Sequence, residues 1–112
     1  LEGLADQCLD HVSQAESSTA LQLERLGAGV DLLSRPVTGA ITLHDPAAAA
    51  TLTLETTPPL DRVVVWTDPP RPMVCLEPWS GPRGALLTGE GRLQLPPGES
   101  LTLACCYRVA AG

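Results

Sequence analysis

Hydrophobic and polar positions change texture twice along the chain. Residues 1–12 place Leu1, Leu4, Leu9 and Val12 without a period, so no regular element is assigned there. Ser17, Ser18 and Thr19 then offer caps ahead of Leu21, Leu23 and Leu26, and Gly27 and Gly29 supply a stop. That order predicts one short helix over residues 18–26. Beyond Gly29 the pattern shortens to a period of two. Ile41 and Leu43 alternate with Thr42 and His44, and Leu52 and Leu54 alternate with Thr51, Thr53 and Glu55. Between them Asp45-Pro46 and a run of alanines make a turn, so a hairpin with strands near 40–45 and 50–56 is expected.

Pro58-Pro59 breaks this hairpin from the next run. Val63, Val64, Val65 and Trp66 form a continuous β-rich stretch, expected as a strand over 62–67 buried on both faces. A Pro-rich connector, residues 68–72, leads to a second apolar strand over 73–77. Alternation at 92–95 predicts another strand. Pro96-Pro97-Gly98 suits a type II turn with Gly98 at the position of positive φ. A last strand over 100–109 is expected, with Leu101, Leu103, Cys105, Tyr107 and Val109 on one face. Short strands at regular spacing with Pro and Gly between them predict an all-β fold, an antiparallel β-sandwich.

Length and charge narrow the picture. The 112 residues suffice for one domain, whole or partial, over 1–112. Seven arginines, no lysine, 13 acidic residues and a net charge of −6 argue against a nucleic-acid partner, because phosphate neutralisation needs clustered cations. The longest apolar run is about five residues, too short for a spanning helix, and the first residues lack a charged and apolar leader pattern, so no signal peptide is expected there. Cys8, Cys75, Cys105 and Cys106 contain no C-x-x-C spacing, so no metal site is expected. Adjacent cysteines on a strand point to opposite faces, so Cys105 and Cys106 are not expected to bond each other. This usage fits a reducing cytoplasm better than a secreted scaffold.

The densest chemistry lies in Met73-Val74-Cys75-Leu76-Glu77-Pro78-Trp79-Ser80-Gly81-Pro82-Arg83. Pro78 keeps Glu77 extended, and a carboxylate at the end of an apolar strand is expected at the rim of a sheet. An apolar neighbourhood raises a carboxyl pKa toward the range of a general base. Only three aromatics occur, and two of them, Trp66 and Trp79, flank this segment. Indole rings suit the apolar faces of sugars. Against this stands the ordinary reading, in which the Glu is solvated, the Trp is core and the Arg is surface. His44 reads as a surface residue and His11 as at most a minor contributor.

These residues resemble a family. Val63-Val64-Val65-Trp66-Thr67, then Val74 through Arg83, then Leu95-Pro96-Pro97-Gly98-Glu99-Ser100, look like the C-terminal stretch of aldose 1-epimerase (galactose mutarotase-like) proteins. The resemblance implies the C-terminal portion of a galactose mutarotase-like supersandwich. It makes Glu77 the catalytic base, and Gly29-Val30-Asp31 resembles the segment whose Asp holds substrate hydroxyls. Trp79 and Arg83 are further expected substrate contacts. The implied reaction interconverts the α and β anomers of a hexose or hexose phosphate, by two proton transfers that need no cofactor. The family's acid is a His well upstream, and neither histidine here matches its segment. The chain is therefore expected to carry the base without the acid, and to be inactive if it is a fragment. Pro78-Trp79 also departs from the polar residues that follow the Glu in galactose mutarotases. The alternative is a non-catalytic carbohydrate-binding β-sandwich module. Neither reading sets an oligomeric state.

Overall fold

A computed structural model describes residues 1–111. It is mostly β, with 41% strand and 11% helix, and two antiparallel sheets pack as an all-β sandwich. The first sheet has five strands: β1 (Gln7–Asp10), β2 (Ala15–Ser18), β3 (Asp31–Ser34), β6 (Arg62–Trp66) and β7 (Cys75–Trp79), in the order β2-β1-β3-β6-β7. The second has β4 (Ala40–Asp45), β5 (Ala50–Thr56) and β8 (Cys105–Ala111), in the order β4-β5-β8.

Register decides which side chains face the core. Across the first sheet Asp31 lies opposite Trp66 and Trp66 opposite Cys75. The next row of that face is Leu9, Leu33, Val64 and Glu77, and the row beyond holds Arg62 and Trp79. Residues directly paired across a ladder share a face. Asp31, Glu77 and Trp79 therefore all lie on one face. The other face carries Cys8, Leu32, Val63, Val65 and Leu76, which pack with Ile41 and Leu54 of the second sheet as the buried core. Tyr107 joins the sheets directly: it sits opposite Leu54, and its hydroxyl donates to the Leu76 carbonyl at 2.6 Å.

The 40–45 and 50–56 strands form as expected, and β6 is buried on both faces from Arg62 to Val65. The helix is shorter than 18–26. Helix α1 spans Thr19–Leu23 with Ser18 as its N-cap, and a 3₁₀ turn covers Leu26–Ala28. Three strands were not foreseen: β1, β2 and β3.

Three boundaries are corrected. The 73–77 strand becomes Cys75–Trp79, because β6 ends at Trp66 opposite Cys75 and leaves Met73 and Val74 without a partner. Glu77 is thus the middle residue of its strand, not its end, and Pro78 is tolerated because β7 is an edge. Residues 92–95 form no strand, since no neighbour pairs with them. The last strand begins at Cys105, not residue 100, because its partner β5 ends at Thr56, opposite Cys105, just before the Pro58-Pro59 break. Gly98, with φ of 83°, does turn the chain, and the Glu99 amide donates to the Pro96 carbonyl at 3.1 Å.

Candidate functional site

The site is built on the sheet face that looks away from the core. His11 immediately follows β1, and its amide donates to the Asp31 carbonyl at 2.8 Å, which extends the β1–β3 ladder by one residue. That alignment brings the imidazole beside the Asp31 carboxylate, with Nδ1 and Oδ1 at 2.8 Å. Arg83 lies 72 residues from His11 in sequence and folds back onto the same pair: its Nη2 is 3.6 Å from Asp31 Oδ2 and 3.4 Å from His11 Nδ1. Trp79 comes from β7, at the opposite side of the sheet from β1. Its ring reaches across to His11, with centroids 5.7 Å apart and planes inclined by 30°.

Burial divides the labour in this cluster. The His11 side chain is only 3% exposed, and its Nε2 is buried with no hydrogen-bond partner among the described residues. A buried polar atom left unpaired costs roughly 1–3 kcal/mol, so it calls for an explanation. A cleft of about 330 Å³ borders the residue, lined by Leu9, His11, Gln14 and Arg83. Arg83 keeps 60% of its side chain in solvent and so presents free N–H donors to that cleft. Gln14 holds a positive φ of 61°, a conformation non-glycine residues seldom adopt. The turn that imposes it is tied by Asp10, whose carboxylate accepts from the Val12 amide at 2.9 Å and from Ser13 Oγ at 3.1 Å. Those bonds, the Val12 amide first, hold the Asp10 carboxyl below its ordinary pKa.

Of the residues singled out from sequence, Asp31, Trp79 and Arg83 converge on one cluster. Glu77 shares their face, two residues before Trp79, and is half-buried. It does not line the His11 cleft, and among the described residues its carboxylate makes no hydrogen bond or ion pair. Its charge is felt by the Tyr107 phenol. Burial first, then the Cys105 thiol, Glu77 and Cys75, raise the Tyr107 pKa. His11 was missed as a principal residue. The one available signal was Asp10-His11 directly before a polar turn, which carries little without the fold. His44 is half exposed, as expected of a surface residue. Among the described residues no group of three or more His, Cys, Asp or Glu side chains is placed to hold a metal. No helix among them is long and apolar enough to cross a membrane.

In fold, the chain is similar to the crystal structure of the Slr1438 protein from Synechocystis sp. PCC 6803, with a TM-score of 0.76 and 23% identity. The match covers 98% of this chain and 39% of that one, so the chain spans well under half of its neighbour. No protein-family model matches the chain, and no curated protein sequence matches it.

Proposed function

We propose that this chain is the C-terminal part of a carbohydrate-active isomerase of the aldose 1-epimerase type, acting on a hexose or hexose phosphate. The observation that carries the reading is the common sheet face of Glu77, Trp79 and the buried His11. Anomer interconversion needs a base for the anomeric hydroxyl and an acid for the ring oxygen. Glu77 is a carboxylate without a competing partner, suited to the first task. His11 suits the second, and it lies within the chain. Its Nδ1 is held by Asp31 at 2.8 Å, and among the described residues its Nε2 has no partner. Glu77 takes the hydroxyl proton as His11 gives one to the ring oxygen, and the ring opens. After rotation about C1–C2 the two transfers reverse, and both groups return to their starting states. Trp79 supplies an apolar platform for the sugar, and the exposed Arg83 guanidinium supplies donors for a hydroxyl or a phosphate. The unpaired cysteines support a reducing, cytoplasmic setting.

One observation favours a second reading, a carbohydrate-binding module without catalysis. His11 Nε2 is buried, so a sugar reaches it only if side chains around it move. Polarimetry of freshly dissolved α-glucose, α-galactose and their 6-phosphates separates the two. The isomerase reading expects mutarotation faster than in buffer for at least one sugar. Binding of a sugar, measured calorimetrically, with no acceleration on any of them supports the module instead.

A further inference from the structure

We infer that Asp31 is a positioning residue that acts through His11 by fixing which imidazole nitrogen carries the proton, and that it is not a direct contact for sugar hydroxyls. Three observations carry this. Asp31 does not line the cleft that His11 and Arg83 border. Both of its carboxylate oxygens are engaged, Oδ1 by His11 Nδ1 at 2.8 Å and Oδ2 by Arg83 at 3.6 Å. The histidine it holds is almost wholly buried and has one nitrogen left over.

A carboxylate accepts hydrogen bonds and cannot donate them, so a 2.8 Å contact requires the proton on Nδ1. In the neutral imidazole that leaves a lone pair on Nε2, and the bond together with the packing against Trp79 orients the ring. The charges facing the ring are few. Asp31 on β3 lies at 2.8 Å and Arg83, from the segment after β7, at 3.4 Å; with the proton on Nδ1 the Arg83 contact is one of charge and not a hydrogen bond. Asp10, the residue before His11, is turned to its own hairpin. Arg83 has a second effect. By pairing with Oδ2 it holds the carboxylate so that Oδ1 faces the ring. The arrangement gives a histidine with a fixed tautomer, a fixed orientation and one buried nitrogen left unpaired among the described residues.

The catalytic consequence rests on reading His11 as the acid, whereas the tautomer does not. Nitrogen NMR of the imidazoles reads the tautomer directly, with a His44→Asn variant assigning the two histidines. The expected result is His11 protonated on Nδ1 in the neutral form. Asp31→Asn can donate from its amide to Nδ1 and so should move the proton to Nε2. In polarimetry the same variant should lower kcat by about 10²–10⁴-fold with KM little changed, as for the loss of an oriented acid–base group. Neutral His11 of the parent protein found protonated on Nε2 would overturn the inference without any variant being needed. So would Asp31→Asn that keeps kcat and raises KM, the signature of a lost hydroxyl contact. If the parent protein turns over no sugar, the isomerase reading fails, and the tautomer measurement still decides the role of Asp31.

Discussion

At the scale of single residues, Trp79 faces two ways. Its ring packs against His11, yet the residue is only half-buried. A fully enclosed Trp replaced by Ala costs about 3–5 kcal/mol of stability. Trp79→Ala should cost less than that in denaturant unfolding. It should weaken sugar binding by about 1 kcal/mol, roughly fivefold, through loss of the ring contact, as calorimetric titration would read. A stability loss in the full core range with unchanged binding would make Trp79 a core residue. Trp79, Arg83 and Glu77 were legible because they stand close together in a chain with almost no other aromatics. His11 was not, because its partners Asp31 and Arg83 lie 20 and 72 positions away. Only the pairing of β1 with β3, and the return of the chain after β7, bring them to it.

Among the elements, the β1–β2 hairpin shows how little of a short edge motif a sequence displays. Its strands, Gln-Cys-Leu-Asp and Ala-Glu-Ser-Ser, have too few apolar positions to reveal a period. What holds the turn is the Asp10 carboxylate. Strand β3 was hidden for the opposite reason, since Leu32 and Leu33 are both buried and mask any alternation. The β4–β5 hairpin was readable because one face is core and the other is not. At 92–95 the same alternation misled, since a period of two needs a partner strand to become a ladder. Asp10 gives this scale its prediction. Its folded pKa lies below the unfolded value, so its stabilisation is present above the unfolded pKa and is lost as pH falls through the folded one. Asp10→Asn should therefore lower Tm near neutral pH, and the gap to the parent protein should close as the solution is made acid. A gap independent of pH would mean that the carboxylate charge does not hold the turn.

For the whole molecule, stability resides in the layer between the sheets. Leu32 and Leu54 are completely buried from opposite sheets. Leu32→Ala and Leu54→Ala should each cost about 2–5 kcal/mol in denaturant unfolding. Leu87, 93% exposed, should change stability by no more than about 0.5 kcal/mol when replaced by Ser. The contrast is sharp because the segment from Leu86 to Leu103 turns several leucines outward, away from this core. The sandwich as a class was readable from strand spacing, but the split into five and three strands was not, since it depends on which edges pair.

The proposed function turns on Glu77, the half-buried carboxylate on the face of the first sheet turned away from the core. Glu77→Gln keeps size and hydrogen-bonding capacity and removes the proposed base. The most direct measurement is polarimetric mutarotation of the parent protein and this variant side by side, on each sugar the parent protein accelerates. The expected result is a loss of about 10²–10⁴-fold in rate, with sugar affinity nearly unchanged. A Gln variant that matches the parent protein on every one of those sugars would contradict Glu77 as the base, and with it the proposed mechanism.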